Sequence, residues 1–281
     1  MTVKSAAADA GAPPVLFVPP SAEFRRRALL IGSVVAFVTL AGAYLKFQPL
    51  MLFTDFHHLV RLADEMVPPN LALLWTKTSL YQTMAETVAM AFLGTLVGGL
   101  VAFLLAFFAA RNTSPHPIFR FFTRIGFGIE RATPNFVVLL ILFIAFGFGP
   151  YAGMIALAVG SVGMFGKLFA DAIEQVDPGP CEAVASVGAS PLQVIRYAVI
   201  PQVLPSVVAN GFYAFDVNMR AAIALGVYGG GGIGFELQLA MKVLRYPDVL
   251  ALILLVIVLI TAMERVSDFL RNRLISRDVL S

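Results

Sequence analysis

Long apolar runs separated by short arginine-containing segments are the feature that most limits the fold of this 281-residue chain. The run over residues 28–47 contains about twenty residues, which as a helix would extend roughly 30 Å and cross the apolar core of one bilayer. Hydrophobic residues make up 59% of the chain and charged residues 13%, whereas soluble domains carry about twice that charged share. These values exclude an ordinary soluble protein and predict a membrane protein with several spans.

Five more apolar runs meet the same length criterion. We predict further spans near residues 85–110, 134–148, 150–172, 203–228 and 248–270. The third span is short, and we expect its helix to begin earlier, within IFRFFTRIGFGIERATP. The uncharged sequence GFGP at residues 147–150 predicts a tight break between spans three and four. The predicted fold class is therefore all-α, a polytopic bundle of about six transmembrane helices.

The arginines predict the orientation of these spans, because lysine and arginine accumulate in the cytoplasmic loops of membrane proteins. They form three groups, within residues 25–27, 111–131 and 265–277. All three groups fall on one side if the chain crosses the membrane six times with its N- and C-termini in the cytoplasm. We further predict a flexible cytoplasmic tail over residues 1–24 and a single transmembrane domain over residues 25–281.

The stretch EAVASVGASPLQVIRYAVIPQVLP, residues 182–205, is mixed in character and lies between two predicted spans. We predict a short helix from Pro180 to Val187 that carries Glu182 near its positive N-terminal end. Gly188 would end this helix with a sharp turn, and Pro191 would begin a second helix. The product is a compact cytoplasmic knob. From spacing alone, a docking element and an ordinary helix-turn-helix without a partner are equally good interpretations.

The spacing of small residues and prolines in this stretch resembles the EAA loop of ABC-importer permeases. The matching residues are Glu182, Ala183, Gly188, Ala189, Pro191, Pro201 and Pro205. The similarity extends over residues 147–234, which resemble the permease subunit of phosphonate ABC importers. The sequences that carry it are GFGPYAGMIAL, GKLFADAIEQVDPGPCEAVASVGAS, VIPQVLP and DVNMRAAIALGVYGGGGIG.

This resemblance implies a type I (MetI-like) permease architecture in the bacterial inner membrane, with the EAA coupling loop at about residues 178–205. It also implies a set of partners: a second copy of the chain, two cytoplasmic ATPase subunits, an extracytoplasmic phosphonate-binding protein and membrane lipid. ATP and Mg would be held by the ATPase subunits, and this chain would bind no cofactor. In this arrangement the chain forms the pathway and transmits movement from the ATPase to it.

Three departures from the family pattern leave the cargo open. Ala214, Phe215 and Asp216 stand where the family usually has a basic residue and a glutamate. Gly160 stands where a histidine is frequent, and the glycine-rich segment after span five also differs. Phosphite, another phosphorus oxyanion and a small amino acid such as methionine therefore remain alternatives to a phosphonate.

Charged and polar residues in the fifth span are candidates for the translocation pathway. Asp216 and Arg220 are four residues apart, so they share one helix face and could pair. Charges inside membranes usually face a protein interior or a water-filled route. Two interpretations stay open: Arg220, with Asn218 nearby, lines the route, or the charges form a salt bridge that fixes span five to its neighbours.

A glycine-rich segment follows the fifth span. Gly229, Gly231 and Gly234 satisfy the dinucleotide pattern G-x-G-x-x-G, but no strand precedes them. We instead predict irregular backbone or close packing near the outer mouth of the pathway, with Gly231, Gly232 and Gly234 as gate residues.

Several other activities have no support in the residues. The chain lacks the phosphate-binding sequence G-x-x-x-x-G-K-[ST], so a separate subunit would have to hydrolyse ATP. No residues have the spacing of a metal site or a catalytic triad. A net charge of +3 does not indicate nucleic-acid binding. An ion-coupled secondary transporter is the rival from a different class, disfavoured because no relay of intramembrane acids or histidines is visible.

Overall fold

The computed structural model describes residues 22–48 and 54–278. These residues are helical apart from short connections, and no strand occurs among them, which confirms the predicted all-α class. The chain divides after Arg61 into two compact units, which are described separately. Most of the predicted tail, residues 1–21, lies outside the described residues. Residues 22–24 already belong to the first helix.

The first unit contains α1, which runs over Ala22–Tyr44. We predicted an apolar span beginning at residue 28, but the helix also includes the three arginines at residues 25–27. Arginine is a good helix former, and its long side chain can reach the headgroup region from a helix end. An amphipathic helix, α2, spans Phe56–Met66 and crosses the boundary between the two units.

The second unit contains ten further helices among the described residues. They are α3 (Ala72–Thr76), α4 (Ser79–Ala109), α5 (Pro117–Ala132), α6 (Asn135–Phe146), α7 (Pro150–Glu174), α8 (Pro178–Ser186), α9 (Pro191–Val194), α10 (Ile200–Leu225), α11 (Gly232–Lys242) and α12 (Tyr246–Asp278). Two π-helical turns, Ile195–Val199 and Gly226–Gly230, flank α10.

Five helical segments of the described chain are long and apolar enough to cross a membrane: Glu23–Tyr44, Ser79–Ala109, Pro150–Glu174, Pro191–Gly230 and Tyr246–Arg273. A sixth span is counted if α5 and α6, which meet at a bend of 92°, form one broken span. The bend lies at the Thr133-Pro134 sequence, since a proline disfavours helix in the residue before it. The protein is therefore a multi-pass membrane protein.

Two predicted span boundaries were wrong. The second span begins at Ser79 instead of near residue 85, because Leu80 is packed at 2% exposure into a cluster with Ile233 and Leu252. The fifth begins at Pro191 instead of near residue 203. Pro201 does not break it, since it lies in the first turn of α10, where a missing N–H costs no hydrogen bond.

Helix α7 is the centre of the second unit and packs against α4, α5, α6 and α10. The contact with α4 is close because glycines replace larger side chains there. A Cβ on Gly94 would lie 2.7 Å from the Cβ of Leu157, and one on Gly98 would lie 2.6 Å from the Cβ of Ser161. Small residues of this kind allow helix backbones to approach in a membrane, where dispersion contacts drive association.

The order of these contacts fixes the helix directions. Gly94 and Gly98 meet successive turns of α7, so α4 and α7 run parallel. Helix α10 runs the other way, since its first turns pack near Phe169 and its C-terminal π turn reaches Gly153. The C-termini of α4 and α7, together with α8 and α9, therefore form one end of the bundle. The segment Gly226–Gly230 lies at the opposite end.

Candidate functional site

The predicted knob is present at the C-terminal end of α7, as helix α8, a turn and helix α9. Asp177 caps α8, because its Oδ1 accepts a hydrogen bond from the backbone N–H of Gly179 at 2.9 Å. The helix therefore begins at Pro178, before the predicted Pro180, and ends at Ser186 instead of Val187. Gly188 has φ +86°, a conformation that glycine adopts at little cost, and turns the chain as predicted.

Helix α9 returns the chain toward the bundle. Pro191 is its first residue, as predicted. The backbone N–H of Ser190 donates to Oε1 of Gln193 at 2.7 Å, which is one half of a capping box. From α9 the chain continues without a break through the π turn into α10. The knob is thus joined to a long membrane helix by helical backbone, which can transmit a rigid movement.

Gln202 of α10 connects the start of the knob to its end, and no sequence pattern indicated this contact. Its Oε1 accepts a hydrogen bond from the backbone N–H of Asp177 at 3.0 Å. Its Nε2 donates to the backbone oxygens of Ala198 at 3.0 Å and Asp177 at 3.4 Å. One side chain therefore closes the segment between residues 177 and 202 into a compact unit.

The outer surface of the knob combines a carboxylate with apolar side chains. Glu182 and Ala183 are exposed on α8. Val187 is 83% exposed and Leu192 is 78% exposed. Isolated exposed apolar residues are common on proteins, but these two stand on either side of the Gly188 turn. The result is a protruding surface suited to a complementary groove.

A salt-bridge cluster supports the knob from the side, and no sequence pattern indicated it. Arg124 of α5 donates from Nη2 to Oε1 of Glu174, at the end of α7, over 2.6 Å. The same oxygen accepts a hydrogen bond from the backbone N–H of Arg111 at 2.7 Å. Asn112 donates to the backbone oxygen of Ile173 at 2.6 Å. These contacts fix the α4–α5 loop against the helix that leads into the knob.

The glycine-rich segment lies at the opposite end of the bundle and is closely packed. Gly231 has φ +82°, and a Cβ there would lie 2.7 Å from Cδ of Pro150. The backbone N–H of Gly149 donates to the oxygen of Gly229 at 3.1 Å. The N–H of Ile233 donates to Oγ1 of Thr87 at 2.9 Å.

Gly232 and Gly234 also allow the glycine-rich segment to pack closely against its neighbours. Gly232 lies against Thr87, and Gly234 lies against Gly226 and the backbone of Ile223. A side chain at either position would displace a neighbouring helix. The segment is thus a close-packed reversal between α10 and α11, in agreement with the predicted irregular backbone.

The two charges of the fifth span do not pair with each other, although their four-residue spacing allowed it. Arg220 forms its ion pair with Glu264 of α12. Asp216 lies beside Ser267 of the same helix, and its Oδ1 is buried without a hydrogen-bond partner among the described residues. Helix periodicity correctly placed both charges on one face, but that face packs against α12. The partner therefore comes from 44 residues away along the chain.

Asn218 is buried at 6% exposure in the second unit. Its Nδ2 donates to Oγ1 of Thr95 on α4 and to Oγ of Ser161 on α7, each at 2.8 Å. This arrangement joins three helices, and Asn218 holds α10 to its neighbours. Its place near the translocation route stays a prediction.

The family follows from a comparison with known sequences. The profile of the family described as "Binding-protein-dependent transport system inner membrane component" matches residues 98–276, more than half of the chain. The chain belongs to this family. The match covers the knob, the glycine-rich segment and the polar contacts of α10, so the family predicted from the EAA loop is confirmed, and the chain is a permease.

Curated relatives of this permease include the phosphate-import permease protein PhnE of Mycolicibacterium smegmatis, which is 39% identical over 254 residues. That match covers 90% of this chain and 47% of the relative, so the chain spans about half the length of that protein. The phosphite transport system permease protein PtxC of Stutzerimonas stutzeri is 38% identical over 211 residues, which cover 75% of this chain and 76% of the relative.

Solved structures give the same fold. The permease is similar to a chain of the inward-facing MetNI methionine ABC transporter, with a TM-score of 0.62 and 19% identity over 73% of this chain and 97% of that chain. At this identity the likeness concerns the fold alone. It confirms the predicted MetI-like architecture.

One departure from the family pattern now has a physical explanation. Gly160 of α7 lies against the side chain of Asn135, at the first turn of α6. A side chain at residue 160 would overlap the Asn135 amide. An asparagine from a neighbouring helix thus occupies the space that a histidine at residue 160, frequent in the family, would need.

Proposed function

We propose that this permease is the transmembrane subunit of an ATP-driven importer for phosphorus oxyanions, with phosphonates as the first candidate cargo. The observation that carries the proposal is the exposed knob of α8 and α9, closed by Gln202 and continuous with α10. The names of the relatives, phosphate-import and phosphite permeases at 38–39% identity, support the cargo class. Phosphite is accordingly the second candidate cargo.

In the proposed assembly, two copies of the chain enclose the pathway and two cytoplasmic ATPase subunits bind the knobs. An extracytoplasmic binding protein delivers the cargo. Both termini lie in the cytoplasm, and ATP and Mg are bound by the ATPase subunits. The exposed Val187 and Leu192 fill an ATPase groove, while Glu182 is available for a basic or amide partner at its rim.

The proposed mechanism follows from how the knob is joined to α10. Closure of the ATPase pair moves each knob, and a rigid connection passes the movement to α10 and, through Glu174, to α7. A docked element shifts an equilibrium only if its contacts differ between the two states, and a groove that opens and closes supplies such a difference. Our proposed pathway or gate residues, at or near the moving helices, stay Asp216, Asn218, Arg220 and the glycines 231, 232 and 234.

The central test is capture of the partner and coupling to it. Affinity purification of the full chain from bacterial membranes should retain a P-loop ATPase, and Gly188→Val should lose the ATPase while keeping the chain in the membrane. Gly179→Ala is the matched control, since Gly179 lies in the same knob at an ordinary helical position. Transport at full rate by the isolated chain under an ion gradient alone would instead establish the secondary-transporter alternative.

The cargo is tested on the binding protein that works with this permease. Isothermal titration with methylphosphonate, phosphite, inorganic phosphate and methionine ranks the four ligands directly. Tightest binding of a phosphorus oxyanion supports the proposal, and the order among the three selects the cargo. Binding of methionine without any phosphorus oxyanion would overturn it.

A further inference from the structure

A cleft of about 280 Å³ opens between α5 and α7, near the knob end of α7. Its lining contains three basic side chains, those of Arg124, Arg131 and Lys167, and one carboxylate, that of Asp171. A second cleft, lined by Arg111, Arg120 and Arg124, continues along α5. Basic side chains from two helices thus converge on one concave surface.

Two of the three cations in the first cleft are free to bind a ligand. Arg131 and Lys167 are exposed, and neither has an ion-pair or hydrogen-bond partner in the part of the chain that the structure describes. Arg124 already has two partners: its Nε donates to the backbone oxygen of Ala109 at 2.9 Å, and its guanidinium forms a salt bridge with Glu174. The carboxylate of Glu130 is directed at Gly163 of α7 and interacts electrostatically with Arg131, but it does not line the cleft. The lining itself contains three cations and one carboxylate, and is therefore net positive.

The surroundings of the cleft are those of a membrane interface. Apolar side chains are exposed along α5 beside the basic line, with Phe122 at 66%, Ile125 at 40% and Ile129 at 64% exposure. These residues recur at intervals of three and four, so they form one stripe of the helix. An amphipathic helix of this kind rests along a bilayer surface. Its 92° bend against α6, an apolar helix, fits that position.

We propose that this cleft binds a phosphate-class oxyanion through Arg131, Lys167 and Arg124. Phosphate oxygens accept charge-assisted hydrogen bonds from arginine and lysine. Basic pockets between transmembrane helices bind the headgroups of anionic lipids. The same chemistry fits two sources, the phosphate of an anionic phospholipid and a soluble phosphorus oxyanion. The proposal does not depend on the cargo or on docking of the ATPase.

The glycine at residue 128 provides a test that leaves every charge in place. Gly128 lines the cleft, and a Cβ there would meet nothing within 4 Å. Gly128→Leu therefore adds a bulky apolar side chain to the cleft lining at a position where its Cβ displaces no neighbour. Gly126→Leu is the matched control: a Cβ at Gly126 also meets nothing within 4 Å, and this glycine does not line the cleft.

The first arm of the experiment uses lipids. The full permease, purified in detergent, is titrated with cardiolipin, phosphatidylglycerol or phosphatidylethanolamine and the bound lipid is counted by native mass spectrometry. We expect preferential retention of the anionic lipids. Loss of one cation should weaken binding about fivefold, so Arg131→Gln combined with Lys167→Gln should weaken it by more than tenfold. Arg273→Gln, which removes a charge that stacks on Phe269 outside the cleft, should leave binding unchanged.

The second arm uses inorganic phosphate and methylphosphonate with the delipidated permease, followed by isothermal titration. If a soluble oxyanion binds the permease but not the Gly128→Leu variant, the ligand of the cleft is the soluble oxyanion. If lipid is retained by the permease but not by that variant, the ligand is the lipid headgroup. Thermal unfolding of every variant verifies that the fold is intact. The proposal is overturned if neither ligand class responds to Gly128→Leu or to the double charge removal, whatever the transport assays show.

Discussion

The backbone N–H of Asp177 donates to Oε1 of Gln202 over 3.0 Å, so a side chain of a membrane helix holds the residue that caps the knob. Asp177 in turn caps α8 through Gly179. The start of the knob, its capping and the membrane helix are therefore parts of one hydrogen-bonded unit. Movement of the knob without movement of α10 requires these bonds to break.

Replacing Gln202 should loosen that unit. Gln202→Leu removes the bonds to Asp177 and Ala198 and replaces the amide by a branched apolar group of similar size. A hydrogen bond contributes about 1 kcal/mol, roughly a fivefold change in population of the closed form. We expect less cargo moved per ATP in proteoliposomes, with ATP hydrolysis retained. The control is Gln175→Leu, whose side chain has no hydrogen-bond partner among the described residues. An unchanged ratio of cargo to ATP in Gln202→Leu would contradict this role.

The buried amide of Asn218 should contribute to stability. Asn218→Leu removes both hydrogen bonds, to Thr95 and Ser161, and places an apolar group against two hydroxyls. Interhelical hydrogen bonds in membranes contribute about 0.6 kcal/mol each, so the free energy of unfolding should fall by about 1 kcal/mol. Unfolding in a mixed-micelle SDS titration measures it.

Another asparagine of the same helix provides the comparison for that variant. Among the described residues, the side chain of Asn210 has one hydrogen bond, from Nδ2 to Oγ of Ser206 on its own helix, at 3.4 Å. Asn210→Leu should therefore change the unfolding free energy little. Equal effects of the two substitutions would show that the contacts of Asn218 to α4 and α7 do not contribute specifically to the free energy of unfolding.

Two adjacent glycines of α4 should respond differently to the same change. Gly98 faces the backbone of Ala158 and the Cβ of Ser161, whereas a Cβ on Gly99 would come no closer than 3.5 Å to the ring of Phe165. Gly98→Ala should cost about 1–3 kcal/mol, as expected for overpacking, and lower the yield of folded protein. Gly99→Ala should be tolerated or slightly stabilising, since alanine favours a helix. Melting temperature in detergent measures both, and similar values would refute the close α4–α7 contact.

A charge exchange tests the pairing of Arg220 with Glu264. Arg220→Glu and Glu264→Arg each place like charges together and should destabilise the permease by about 1 kcal/mol, a modest value because both side chains are part-exposed and screened by water. The double exchange should restore stability. Transport by the double variant then separates the two interpretations of Arg220: full activity assigns it to the α10–α12 contact. Restored stability with lost transport assigns it to the pathway.

Local features of the knob could be predicted because each depends on one residue's own backbone. Gly188 takes a positive φ, and Pro191 starts a helix, whatever surrounds them. The start of α8 was predicted two residues late, because the cap comes from Asp177, three residues before the predicted first residue Pro180. Gln202 was missed entirely, since a glutamine in an apolar helix indicates a polar contact but not which backbone group provides it.

The sequence by itself determined that the chain is helical, crosses the membrane several times and carries a glycine-turned knob, because hydropathy, helix length and proline or glycine conformation are properties of short segments. The tertiary structure decided which side chains meet. Asn218 binds Thr95 from 123 residues away and Ser161 from 57 residues away. Arg220 pairs with Glu264 instead of with Asp216, four residues along its own helix. Periodicity specifies the face on which a side chain lies, and only the packing of helices distant in sequence selects the group that this face contacts.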